Sequence, residues 1–223
     1  YRCPPGPYER VSMVAQLLKG KNPTAKIIIL DPKPNFSKQV LFMDGWEQHY
    51  PGMIEWIPAE IHGGIKNVDP KNMKVHTDFD TFKADAACII PAQKAGKIAM
   101  VAGVNEGDWC PINPVNMLSK ADPNIYILGD AAKAKPMPKS AVSANSQAKV
   151  AANSILKELA GREALPVSYA NTCWSLLAKN DGIKVGATYK AGGITIEAVS
   201  KFISARNESP QTRKATYEES ISW

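Results

Sequence analysis

No apolar run in this sequence is long enough to cross a bilayer. The longest, IIIL at 27–30 and IYIL at 125–128, fall far short of the roughly 20 residues that a spanning helix needs, so no membrane span is expected. Basic runs longer than a pair are missing too. Lys and Arg total 27 against 21 acids, a net charge of +6, which argues against a nucleic-acid stripe and leaves a mild bias suited to an acidic protein partner. The four cysteines, Cys3, Cys88, Cys110 and Cys173, contain no C-x-x-C pair, which argues against a zinc ribbon or a thioredoxin-type motif and predicts no metal site. Any disulfide has to join distant stretches. No start methionine, charged leader or apolar h-region opens the chain, so Tyr1 reads as an internal position of a longer polypeptide. There is no internal repeat and no low-complexity tract. What is present is 223 residues with 44% in the hydrophobic set, enough to bury the core of one large domain or two small ones.

The pattern along the chain is that of an α/β protein. Residues 7–19 place Val11, Val14, Leu17 and Leu18 on one face of a helix, with Pro7 in the first turn and Gly20 as the stop. AKIIILD (25–31) reads as a fully buried strand of a parallel sheet, and NFSKQVLFMDGWEQHY (35–50) as a second helix with Ser37 as the candidate cap. From 53 to 82, short alternating segments broken by Gly-Gly and Asp-Pro turns predict an antiparallel meander. A buried strand is expected within 83–96, with Cys88 a packing thiol inside it, and another at 125–130. SANSQAKVAANSILKELAG (143–161) is a helix with Ser140 or Ser143 at its start and Gly161 just past its end. After Pro166 the pattern predicts strands at 183–190 and 193–197, a short helix at about 197–205 and a polar tail.

Two stretches carry chemistry. Gly129-Asp130 follows an apolar strand and precedes a long helix, the form of a site where the sugar chain of a flavin dinucleotide meets its protein. Asp130 would accept hydrogen bonds from ribityl hydroxyls, Gly129 would admit the backbone closely, and the helix start near Ser140 would favour an anionic ring. A plain turn explains Gly-Asp equally well. The other stretch runs from Cys3 to Asp31 and has the order of a dinucleotide-binding βαβ unit. Its loop carries Pro4, Pro5 and Pro7, which have no N–H to hold a pyrophosphate. Asp31 then stands at the ribose-reading position of a unit that no longer reads NAD, and a cysteine on that loop suggests a thiol or sulfur donor. Glu9, six residues beyond Cys3, is a candidate proton acceptor; a carboxylate stabilised by the helix dipole is the simpler reading.

Taken together, RCPPGPYER, IPAQKAGKIA, GDWCPINP, ILGDAA, PMPKSAVSANSQAK and NTCWSLLA resemble the flavoprotein subunit of flavocytochrome c sulfide dehydrogenase, a relative of sulfide:quinone oxidoreductases. The resemblance implies a two-dinucleotide-domain flavoprotein fold of the disulfide reductase kind, incomplete here because the glycine loop for FAD would precede Tyr1. Three parts follow: the remainder of a degenerate NAD-like domain (1–82), a returning FAD-domain segment (83–160) and a C-terminal interface domain (161–223).

By motif, Cys3 and Cys173 would form the family's redox-active disulfide over the flavin, with Glu9 as the base. Cys110 also lies in a shared motif and is the rival partner for Cys3. Pro138, Lys139 and Ser140 match a segment beside the flavin, although Lys139 alone reads as an exposed loop cation. Trp46, Trp56 and Trp174 read as packing. ATYEESISW is only loosely like the family's end, so Trp223 is given no role. The resemblance implies oxidation of sulfide to sulfur or polysulfide in a bacterial periplasm, where a disulfide survives. Electrons would pass from FAD to haem c on a cytochrome subunit. A quinone-reducing relative needs an apolar surface helix near the C-terminus, which residues 196–223 offer only briefly. A chain unable to hold FAD by itself is the third expectation.

Overall fold

The computed structural model describes residues 3–163 and 165–223; Tyr1 and Arg2, the start of the first quoted motif, lie outside the described residues. The chain forms two compact units, each built from separate segments: Pro5–Pro91, Ser175–Ile183 and Arg206–Trp223 in one, Tyr1–Pro4, Ala92–Trp174 and Lys184–Ala205 in the other. They are called here the βαβ unit and the α5 unit. The two interleave along the sequence.

In the βαβ unit, α1 spans Gly6–Lys21 with Pro7 in its first turn. It runs through Gly20 rather than stopping there. Its buried residues are Tyr8, Ser12 and Ala15, whereas Met13, Val14 and Leu17 are exposed, so the apolar face expected from the pattern is not the packed one. Small residues at 12 and 15 admit close neighbours. The Ser12 hydroxyl is satisfied, donating to the Tyr8 carbonyl at 3.2 Å and accepting from Trp46 Nε1 at 2.8 Å. Shape and hydrogen bonding therefore select the face that hydrophobicity does not.

β1 (Ile27–Asp31), α2 (Gln39–His49) and β2 (Ile54–Pro58) follow. β1 and β2 pair in parallel from Ile27↔Ile54 to Asp31↔Pro58, so MIEWIP belongs to this βαβ element and not to the meander. With two strands the sheet leaves β1 half-open, and Ile28 is 45% exposed where full burial was expected. α2 begins after Lys38, a left-handed residue with φ 62°, and not at Ser37. α3 (Ala59–His62) leads into the meander β3 (Ile65–Asp69), β4 (Lys74–Thr77) and β5 (Thr81–Lys83), antiparallel as its turns predict. Beyond it, residues 86–91 form no strand and Cys88, Ile89 and Ile90 are exposed. An apolar run makes a strand only where a partner supplies hydrogen bonds, and none among the described residues does.

The α5 unit contains α4 (Lys97–Val101), a long irregular segment, and α5 (Ala141–Ala160). The strand expected at 125–130 is a single bridge, Leu118↔Tyr126, running into a 3-10 turn at Gly129–Ala131. α5 starts as its sequence predicts: Ser140 accepts from the Ser143 N–H, and Gly161 closes the end in the left-handed conformation at φ 61°. A core of Cys110, Met117, Ile127, Val150, Tyr169 and Ala187, among others, fills this unit.

β6 (Ser168–Ala178), β7 (Asp181–Ala191) and β8 (Ile196–Ile203) form one sheet in that order. The C-terminal helix α6 (Pro210–Ser222) is capped by Ser209, which accepts from the Thr212 N–H at 3.1 Å. Three expectations change here. β6 begins well before the first strand expected, α6 replaces a polar tail, and residues 196–203 are a strand where a helix was predicted. IEAVSKFI has apolar residues at helical spacing, but pairing with β7 from Val185↔Ile203 to Ala191↔Ile196 decides the outcome. Among the described residues no helix is long and apolar enough to cross a membrane, and no cluster of His, Cys, Asp and Glu could hold a metal ion.

Candidate functional site

In the α5 unit, residues from opposite ends of the chain meet one short segment. The Cys3 N–H donates to the Lys139 carbonyl at 2.7 Å. The next residue, Ser140, donates its hydroxyl to Asn171 Oδ1, which also accepts from Ser143 Oγ at 3.1 Å. Asn171 Nδ2 in turn donates to Cys173 Sγ at 3.3 Å. Lys139-Ser140 thus ties Cys3 and Cys173 into a single hydrogen-bonded set. Cys3 is half-buried with a left-handed backbone at φ 54°, a conformation that orients a side chain at some cost in strain. Cys173 is buried, and the burial of Tyr189, assisted by Cys173, pushes that phenol upward in pKa.

All four cysteines are thiols in the structure. The expected Cys3–Cys173 bond is therefore not made here. Cys110 is fully buried; its N–H donates to the Ala131 carbonyl at 3.0 Å and its carbonyl accepts from Lys133 at 2.8 Å. Burial pushes its thiol upward in pKa, against a smaller opposing effect of Lys139. It is a packing thiol that holds the 3-10 turn. Cys88 is exposed, with Arg10 donating to its sulfur at 3.0 Å, so the buried strand thiol expected there is corrected.

Gly129 and Asp130 begin that turn, against α5. Gly129 has φ 67°, donates its N–H to Gln147 Oε1 at 2.7 Å, and would bring an added Cβ to 3.4 Å from Ala144. The close approach that this glycine permits is to α5 itself. Asp130 is exposed. Lys139 is half-buried: its ammonium donates to the carbonyls of Asp130 at 2.7 Å and Ala132 at 2.6 Å and sits 4.1 Å from the centre of the Trp109 ring. It braces the turn from below its carbonyls, and Pro138 precedes it in the same half-buried loop. An exposed carboxylate beside the first turns of a 20-residue helix is a donor and acceptor set that fits the ribityl and ring end of a flavin.

In the βαβ unit, Glu9 Oε1 accepts the Leu176 N–H at 2.9 Å. Burial raises its pKa; the Leu176 N–H and then the Lys38 ammonium act in the opposite direction. Asp31 is 3% exposed. Its carboxylate accepts from Tyr8 Oη, from Trp56 Nε1 at 3.0 Å and from the Lys33 N–H at 3.1 Å. Phe36 stacks on Tyr8 with ring centres 3.7 Å apart. The Asp31 carboxylate is spent on donors of its own unit, two of them aromatic side chains. Trp46 and Trp56 pack there as expected.

Asn171, Lys38 and Ser175 are polar residues that the sequence pattern does not single out. For Ser175 a signal was there to read, a polar residue between Trp174 and Leu176 of a strand. Lys38 carries no such signal.

Comparison with known proteins gives two family matches in chain order. Residues 1–91 match the central region of the sulfide dehydrogenase (flavocytochrome c) flavoprotein chain, and residues 166–223 match the flavocytochrome c sulphide dehydrogenase flavin-binding domain. The first holds Cys3 and Glu9, the second Asn171 and Cys173, and Gly129 to Ser140 lie between. Among solved structures, a chain of the Tetrahymena thermophila mitochondrial ATP synthase, from a cryo-EM F1Fo composite tetramer, is similar at 15% identity and a TM-score of 0.60. That likeness covers 96% of this chain and 52% of the other, so this chain spans about half the length of its structural neighbour. At such identity the shared property is the fold. With two models of one flavoprotein matched in order and the segments of Cys3 and Cys173 inside them, the chain belongs to the flavocytochrome c sulfide dehydrogenase flavoprotein family.

Proposed function

We propose that this chain is part of an FAD-dependent enzyme, of the two-dinucleotide-domain fold, that oxidises sulfide to sulfur or polysulfide through Cys3 and Cys173 and delivers electrons to a c-type cytochrome subunit. The observation that carries this reading is the shared anchorage of both cysteines, Cys3 through its N–H and Cys173 through Asn171, on Lys139-Ser140. Two thiols so distant in sequence are held to one segment. The oxidised pair is the reactive form. Hydrosulfide attacks one cysteine sulfur, a new S–S bond forms, the old one breaks, and the other cysteine leaves as a thiolate.

Glu9 takes the proton of the incoming S–H group. Bound FAD would supply a two-electron acceptor able to release its electrons singly. Asp130 would hold its ribityl hydroxyls, and the N–H groups opening α5 would face its ring. Docking of the cytochrome subunit uses the modest positive charge of the chain, and the periplasm keeps the disulfide available.

The test is sulfide-dependent cytochrome reduction by the holoenzyme. Cys3→Ser and Cys173→Ser each abolish it, because neither leaves a disulfide to attack. Cys110→Ala and Cys88→Ala retain it. Near-normal turnover in either serine variant overturns the reading.

A further inference from the structure

Lys38 combines two unfavourable features in one residue. It is 6% exposed, and removing an ammonium from water is costly unless partners compensate. It also sits at φ 62°, where a side chain is strained and glycine or asparagine would serve a helix start more easily. Strain and buried charge kept together in one residue point to a use beyond folding.

The partners show what that use is. Lys38 Nζ donates to Ser175 Oγ at 2.9 Å, and Glu9 Oε1 accepts from the N–H of the following residue, Leu176, at 2.9 Å. Two consecutive residues of β6 thus receive one charge of each sign, from the lead-in of α2 and from the first turn of α1. Between Asn171 and Leu177 β6 carries no charged side chain, and its titratable group is Cys173. Arg10 follows Glu9 on its own helix, exposed and directed to Cys88. Asp31, on β1, is occupied by Tyr8 and Trp56. Among the described residues, the charge acting on Glu9 from outside its own helix is that of Lys38.

We propose that Lys38 is a positioning residue for Glu9: its ammonium, fixed by Ser175, supplies the opposite charge to the half-buried carboxylate that the neighbouring Leu176 N–H holds, and so keeps Glu9 available as a proton acceptor. This rests on the reading of Glu9 as the base. Lys38 touches neither sulfur nor flavin in this role. Without the cation, burial acts on Glu9 with only a peptide N–H to oppose it, so the carboxyl keeps its proton to higher pH and the base is lost to protonation.

The experiment is pH-difference infrared spectroscopy of the holo flavoprotein, with Glu9→Gln identifying the Glu9 carboxyl band and sulfide turnover followed over the same pH range. Lys38→Gln moves the Glu9 midpoint up by about one pH unit, within the range that an opposite charge at close range supplies. The acid limb of kcat/KM for sulfide moves up with it, and Lys38→Arg restores both. Lys38→Gly suits the left-handed backbone and repeats the neutral site if the glutamine variant is unstable. An unchanged Glu9 midpoint in the neutral variants overturns the proposal. A midpoint that moves while the acid limb stays fixed upholds the pairing and removes Glu9 from the role of base.

Discussion

Two aspartates end nearly the same phrase, IIILD at Asp31 and IYILGD at Asp130, and their fates are opposite. In the βαβ unit, Asp31 is closed in by Tyr8, Phe36 and Trp56 and spends its carboxylate on three donors of its own unit. In the α5 unit, Asp130 lends only its carbonyl to Lys139 and keeps its carboxylate exposed. The phrase does not decide which acid meets a ligand. What decides is whether aromatic side chains arrive to occupy it, and α1 brings Tyr8 to the first while the second stands on a turn braced from behind.

The contrast is sharpest at Asp31. Asp31→Ala leaves Tyr8 Oη and Trp56 Nε1 without an acceptor inside an aromatic cluster. Each stranded donor costs about 1–3 kcal/mol, so a loss of about 3 kcal/mol or more is expected in urea unfolding, with Asp31→Asn intermediate. Indifference to the change would mean that Asp31 is not the keystone of its unit. Tyr8→Phe is milder because the ring and its stacking on Phe36 remain. A loss of about 1 kcal/mol is expected, the net worth of one hydrogen bond, and NAD added to the protein produces no stabilisation. A rise in Tm with NAD in this variant would show that the closed site is a plug rather than a loss.

Glu9 stands between the two aspartates in exposure, and its sign is the reverse of the usual carboxylate. Burial raises its folded pKa above the unfolded value. Between those two values the native state binds more protons than the unfolded state, so stability falls as pH rises through that window and stays at the lower level above it. Glu9→Gln, which keeps an acceptor for Leu176, therefore raises Tm at neutral pH, and the gain shrinks as pH falls toward the ordinary glutamate range. A gain that grows toward acid pH would mean that burial is not the dominant influence on this group.

How much of this was legible in the sequence follows from where the deciding forces are local. Ser140, α5 and Gly161 could be read because capping acts within a few residues. The parallel β1–β2 element could be half-read: IIIL was evident, but its partner MIEWIP looked like part of the meander because register is a property of two strands. The exposed run around Ile89 and the strand at 196–203 were misread for the same reason. At the site, cysteines and Glu9 were visible as chemistry carried by residue type. Asn171, which joins Ser140 to Cys173, and Lys38, which reaches Ser175 across 137 positions, act through contacts with other segments of the chain, and no local pattern announces them.

The smallest effect on stability is expected at the open acid, and that makes it the cleanest test of the difference. Asp130 is exposed and its carboxylate supports nothing within the α5 unit that Lys139 does not already hold through the Asp130 carbonyl. Asp130→Ala should therefore change unfolding by no more than about 0.5 kcal/mol, as ordinary surface substitutions do. If the carboxylate holds a flavin sugar chain, the same change weakens retention of flavin by the holo protein roughly tenfold, because a hydrogen bond to a charged group is worth about 1.5–3 kcal/mol and a factor of ten is about 1.4 kcal/mol. Equilibrium dialysis against flavin at fixed salt measures it. A variant that loses flavin with its fold intact marks Asp130 as a ligand-binding acid, while one that keeps flavin and loses stability makes it a second Asp31, spent on its own unit after all.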